Sequence, residues 1–332
     1  MTKQQGGGDP TPYKVGPDGL LNPNMSRREF VVATAGAVLL GTAANYETNA
    51  VADLFANPNP AARVWPNTQS NNVLIAAPGA GNSGTAVGQL LQHAVGDKAT
   101  IIGVDYAENN VDPKPIAKVV KDALSELDVP QPSKMRIWHY WLSVGGVIMA
   151  PVVHDLGEQA DLAMLDSTPL TKADLRGING VAAAMPSEIA YFGWLDWMFK
   201  QNKDNTIHDA TQDKAEGVPA DLAIAHRSFT VNASLARTAP EVNALSRQIL
   251  PDALAGFATW AYFMTCPAGP GEQQKKPGID PLVITETAYP GWNGVLGGNL
   301  VLYIDPHRAS QSHGIGPIYP GGIRHLIEQH QA

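Results

Sequence analysis

From Val73 to Asp166, short apolar runs alternate with longer stretches of helical period. Val73-Leu-Ile-Ala-Ala77 is apolar throughout and ends at Pro78-Gly79-Ala80-Gly81, the pattern of a buried strand entering a tight loop. Thr85 to Val95 brings Val87, Leu90, Leu91 and Ala94 onto one helical face. Thr100 to Val104 predicts the next strand, closing on Asp105. Pro115 to Leu127 predicts an amphipathic helix with Ile116, Val119, Val120, Ala123, Leu124 and Leu127 along one side. A third strand, Met135 to Leu142, runs into Ser143 and a small-residue helix, and a fourth spans Asp161 to Asp166. This alternation predicts an α/β fold, a mostly parallel sheet with helices on both faces. Such sheets place ligands beyond the carboxyl ends of their strands, where Pro78, Asp105, Ser143 and Asp166 all fall.

From about Pro169 to Pro281 the pattern turns helical. Ser187 to Asn202 carries Ile189, Phe192, Trp194, Leu195, Trp197, Met198 and Phe199 at helical spacing, and Pro251 to Thr265 carries Leu254, Phe257, Trp260 and Phe263. Aromatic stripes of this kind belong more often to a core than to a cofactor box. Strands return at Leu282 to Thr285 and Asn299 to Ile304, and a last amphipathic helix runs from Gly322 to Gln331. The expected organisation is a low-complexity extension over 1–24, an export segment over 25–52 and a Pro/Asn-rich linker over 53–72. One domain then covers 73–332, with a helical insertion at about 169–281.

Composition narrows the function. The chain is 44% hydrophobic and 16% charged, with a net charge of −8, which argues against a nucleic-acid surface. One cysteine, Cys266, excludes an intrachain disulfide and any cysteine-based metal cluster; a small buried hydrophobe is its plainest role. Nine histidines include no His-x-x-Glu-His or His-x-His spacing, so no metal and no cofactor is expected. Ser26-Arg27-Arg28-Glu29-Phe30 followed by the uncharged run Val31 to Ala44 is too short to span a bilayer, which needs about 20 residues. Paired arginines, a short apolar region and the later Ala50-Val51-Ala52 resemble a twin-arginine export signal, which implies an exported protein. Left uncut, residues 31–44 would tether it to the outer face of the membrane.

The densest candidate chemistry is Arg136-Ile-Trp-His-Tyr-Trp-Leu-Ser143-Val-Gly-Gly146, a β-rich run stopping at Ser-x-Gly-Gly before a helix. That is how a nucleophile elbow reads: a sharp turn lifts the serine hydroxyl above the sheet, and the glycines let the helix pack close behind. Strand, Pro-Gly-x-Gly loop, helix, strand, helix, strand, Ser-x-Gly-Gly, helix, strand, helical insert, two strands, histidine and helix together resemble the α/β-hydrolase superfamily over residues 73 to 331. The insert stands where that fold carries its cap.

The resemblance implies a serine esterase, lipase or acyl hydrolase acting on a small-molecule acyl substrate. Ser143 would be the nucleophile and His313 the base, with His307 a weaker rival. The acid would follow the penultimate strand, which points to Glu286, with Asp305 and Asp166 as alternatives. The oxyanion hole would use the amides of Val144 and Ala80, with Gly79 shaping the turn. Trp141, Tyr106, Trp194 and Trp260 are candidate substrate contacts, and their aromatic character implies an apolar substrate. The superfamily has a small residue two before the nucleophile; Trp141 in that place predicts an opened turn or a shifted strand. If the turn is lost, the alternative is a non-catalytic binding protein on the same fold. A third reading is nucleotide binding at Gly79-Ala-Gly81-Asn-Ser-Gly84, with Asp105 on the ribose.

Overall fold

A computed structural model describes residues 59–80, 83–106, 111–157, 159–175, 241, 243–265, 283–306 and 321–331. All of these belong to the compact unit Tyr46–Ala332. The export segment, the helix expected over Ser187 to Asn202, Cys266, His307 and His313 lie outside the described residues. Among the described residues no helix is long and apolar enough to cross a membrane.

Among the described residues seven strands form one sheet: β1 (Ala61–Trp65), β2 (Asn72–Ala77), β3 (Thr100–Asp105), β4 (Arg136–Leu142), β5 (Ala160–Asp166), β6 (Ala258–Thr265) and β7 (Leu300–Ile304). Their spatial order is β1-β3-β2-β4-β5-β6-β7, with β1 antiparallel to β3 and every other pair parallel. The order reverses between β2 and β4, the position at which sheets of this kind receive their ligands. Among the described residues the α-helices are α1 (Gly84–Val95), α2 (Pro113–Ser125), α3 (Gly145–Leu156), α4 (Thr285–Val295) and α5 (Gly321–Gln329).

The helices start where local chemistry lets them. Ser83 caps α1 by accepting the Ala86 amide at 3.0 Å, and Asp112 caps α2 just ahead of Pro113. α1 lies unusually close to the sheet. A Cβ on Gly84 would sit 2.2 Å from the Val104 carbonyl, and one on Gly88 would strike the Trp65 ring at the same distance. Two apolar layers result. α1 and α5 cover Leu74, Trp138, Tyr140, Leu142 and Met164, while α2, α3 and α4 cover Ile75, Ile137, Trp141, Leu165 and Phe263. Alternate residues of β4 therefore serve opposite layers, and every one of its side chains from Ile137 onward is buried.

Three expected elements are corrected. The stretch read as a linker contains β1, which pairs with β3 from Ala61↔Asp105 to Trp65↔Ile101, so the sheet begins before Val73. The helix expected over Pro251 to Thr265 is a turn followed by β6, a strand with neighbours on both sides, so the sheet resumes inside the stretch read as an insertion. Of the strand expected over Leu282 to Thr285, Val283 makes a single bridge to Leu175 and Thr285 already begins α4.

Candidate active site

Ser143 follows the last residue of β4 and has φ +48, a left-handed conformation that side-chain-bearing residues rarely adopt. The strand does not shift to reach it. Pairing with β5 continues through Leu142↔Asp166, and the Ser143 amide donates to the Asp166 carbonyl at 2.9 Å. The chain then enters α3, with the Gly146 amide donating back to the Ser143 carbonyl at 3.3 Å. A half-buried hydroxyl thus stands at a strand-to-helix turn, ahead of the positive end of a helix.

The glycines after it are dictated by packing. A Cβ on Gly145 would lie 2.6 Å from the Pro78 carbonyl oxygen, and one on Gly146 would lie 2.4 Å from the Thr168 methyl. α3 therefore abuts the Pro78-Gly79-Ala80 loop on one side and the end of β5 on the other. Pro78 and Gly79 are buried and Ala80 is partly exposed, just beyond the carboxyl end of β2.

Trp141 leaves this turn undisturbed. Its ring is fully buried beneath α3, stacked on Phe257 with centroids 5.4 Å apart and tilted against Trp292 at 6.3 Å. The opened turn expected from its bulk is absent because the side chain projects into the layer below the helix, away from Ser143. It is a core residue here, not a pocket wall. The two amides at the start of α1 are also spoken for: Gly84 donates to Asp105 Oδ1 at 2.7 Å and Thr85 to Oδ2 at 3.2 Å. Asp105 is therefore engaged with the start of α1, which is a different role from the ribose contact the nucleotide reading expected of it.

No family model matches the sequence, and no match to a curated protein is found. The fold does match solved structures. It is similar to a thermophilic esterase from Thermogutta terrifontis, with TM-score 0.53 and 11% identity over 81% of this chain and 92% of that one. An esterase from Exiguobacterium antarcticum gives TM-score 0.50 and 13% identity over 82% and 96% of the two chains. A lipase-esterase related protein from Clostridium acetobutylicum gives TM-score 0.50 and 14% identity over 82% and 99%. The fold is that of the α/β-hydrolases.

Within the α/β-hydrolase frame, the candidate acids are distributed as follows. Glu286 is exposed in the first turn of α4. It lies in a helix, and Thr285 Oγ1 lies 3.5 Å from Thr265 Oγ1, which puts that first turn at the carboxyl end of β6, the penultimate strand among the described residues. Asp305 is fully buried after β7, its carboxylate so close to α5 that only a glycine fits at 322. Asp166 is fully buried at the end of β5 and accepts a hydrogen bond from the Tyr140 hydroxyl.

Two expected substrate contacts move. Trp260 lies in the amino-terminal half of β6, stacked on His330 of the chain's last turn at 4.8 Å. It stands four residues before Met264, the partner of Asp166, roughly 13 Å from the strand end by strand rise. Tyr106 is buried, and its hydroxyl donates to the Pro78 carbonyl at 3.2 Å. Trp194 lies outside the described residues.

Sequence reasoning missed Ser167. It follows Asp166 with φ +48, the same conformation as Ser143 one strand away, and its buried hydroxyl has no partner among the described residues. Nothing in Asp-Ser-Thr announced a left-handed residue. Among the described residues no group of three or more metal-ligating side chains assembles.

Proposed function

We propose that this protein is a serine hydrolase that cleaves an ester or similar acyl bond in an apolar small molecule. The observation that carries the reading is Ser143 at φ +48 on the carboxyl end of a central strand, with α3 starting directly behind it. A left-handed serine is strained by about 1–2 kcal/mol, a cost that an ordinary turn avoids with glycine.

In this reading Ser143 Oγ attacks the acyl carbonyl carbon while its proton passes to the His313 imidazole, which a carboxylate orients. We keep Glu286 as that carboxylate, with Asp305 and Asp166 as alternatives. The developing oxyanion is met by the amides of Val144 and Ala80 and by the positive end of α3. The tetrahedral carbon collapses, its bond to the leaving oxygen breaks, and the imidazolium proton goes to that oxygen. Water then repeats the sequence to free the acid and restore the serine. Trp194, Trp197 and Phe199 of the insertion remain the sequence basis for an apolar substrate. The paired arginines at 27 and 28 support export, so the reaction is assigned to the cell envelope or outside it.

A fluorophosphonate probe tests this. Ser143 Oγ should displace fluoride from phosphorus, leaving a stable covalent adduct on the wild type and none on Ser143→Ala. A folded wild type that stays unlabelled moves the reading to a binding protein on the same fold. Trp141 would not be the reason, because the turn it was expected to spoil is intact.

A further inference from the structure

Two consecutive residues at the end of β3 hold, from opposite faces of the sheet, the chain just after β2 and the start of α1. Successive side chains of a strand point to opposite faces, and Asp105 and Tyr106 use both. Asp105 reaches the α1 side, where its carboxylate accepts the Gly84 and Thr85 amides and the Thr85 hydroxyl at 2.7 Å. Tyr106 reaches the α2 and α3 side, where its hydroxyl donates to the Pro78 carbonyl. That carbonyl is thus wedged between a phenol and the Cα of Gly145, the second residue after the elbow serine.

We propose that Tyr106 is a positioning residue for the oxyanion-binding loop and does not itself line the substrate pocket. The proposal rests on the reading of Ser143 as the nucleophile. Its physical basis is the planarity of the peptide unit. Fixing the Pro78 carbonyl fixes the plane of the Pro78–Gly79 amide and the direction in which the chain leaves it. The next residue is Gly79, which without a pin samples both signs of φ, and ordering such a joint is entropically expensive. A hydrogen bond immediately before the glycine removes that freedom at the point where it would otherwise scatter the Ala80 amide. Pro78 suits the position for a second reason. It has no N–H to pair at the end of β2, so its carbonyl is the one polar backbone group to be fixed there.

Complete loss of one oxyanion donor lowers turnover by about 10²–10³. Unpinning one end of the loop leaves the donor present but scattered, so on the order of a tenfold loss is expected. Tyr106→Phe removes one oxygen and keeps the ring in the core, so the variant should still fold, with a melting temperature lowered by a few degrees for the one buried hydrogen bond lost.

The decisive measurement is the concentration dependence of fluorophosphonate labelling, which separates probe binding from the maximal rate of adduct formation. Tyr106→Phe should lower the maximal rate about tenfold and leave probe affinity unchanged. A weakened affinity with an unchanged maximal rate would make Tyr106 a pocket wall and overturn the proposal, as would labelling at the wild-type rate. Backbone hydrogen exchange at Gly79 and Ala80 gives a second readout that needs no activity. Exchange there should quicken in Tyr106→Phe while β2 stays protected, and unchanged exchange overturns the proposal. If the folded wild type is unlabelled, the nucleophile reading falls, and the exchange result alone decides whether Tyr106 orders the loop.

Discussion

Ser143 and Ser167 occupy neighbouring strand ends with the same φ of +48, and in each the next strand's carbonyl holds the amide, Asp166 for one and Met264 for the other. A side chain is unfavourable in that region because its Cβ crowds the following carbonyl. Each site should therefore invert the usual ranking of small residues. Ser143→Gly should be more stable than Ser143→Ala by about 1 kcal/mol, and Ser167→Gly more stable than Ser167→Ala by a similar margin. Urea unfolding of the four variants checks this, and alanine equal to glycine at 143 would show that the elbow is unstrained. Trp141 shows what a sequence conceals at this scale. Its size was legible beside the serine, whereas its direction, onto Phe257 and Trp292 beneath α3, depends on which face of β4 it occupies. A motif carries residue identity and spacing; it does not carry the side of the sheet.

At the scale of elements, α3 can do its work only if it starts hard against the Pro78 carbonyl. Gly145→Ala would put a methyl carbon 2.6 Å from that oxygen and 3.1 Å from the Ala77 carbonyl oxygen, so the helix or the loop must retreat. Overpacking of this kind typically costs about 1–3 kcal/mol. The expected result is a lower melting temperature together with slower fluorophosphonate labelling; a variant indistinguishable from wild type in both would refute the close approach. The elements read correctly from sequence include those with a clean helical period, such as α1 and α2, each of which begins one or two residues earlier than its period suggested, at Gly84 and Pro113. β6 was misread because it is a central strand with neighbours on both sides. Its polar/apolar pattern does not alternate, and Leu254, Phe257 and Trp260 happen to fall three apart. The reverse error occurred at Leu282 to Thr285, where β-branched residues suggested a strand, but Val283 makes a single bridge and Thr285 already begins α4. β1 escaped notice because an edge strand of mixed exposure, with Arg63 outward over Trp65, looks like a polar linker.

Over the whole molecule, the order of strands and helices carried the fold, because doubly wound sheets admit few arrangements and receive their ligands where the order reverses. The same central position that builds the site places a titratable group in the core. His139 lies mid-way along β4, 2% exposed, edge-on to Trp141 at 5.8 Å and to Phe257 at 5.2 Å. Burial disfavours the imidazolium and pushes its pKa down from 6.5 to about 3. A folded pKa below the unfolded one means that the unfolded chain binds a proton the native state refuses. The stabilisation is fully present above pH 6.5 and is lost as pH falls toward 3. At pH 5 the native neutral imidazole competes with an unfolded state that is mostly protonated. A gap of about 1.5 pH units below the unfolded pKa, at 1.36 kcal/mol per unit, amounts to about 2 kcal/mol. His139→Leu keeps the volume and removes the titration. Urea midpoints for wild type and variant, each taken at pH 7 and pH 5, isolate this group, since the remaining titrations are common to both. Wild type should lose about 2 kcal/mol more than the variant over that interval. Parallel losses in the two proteins would mean that His139 is protonated in the folded state, with a partner inside the core that holds its charge.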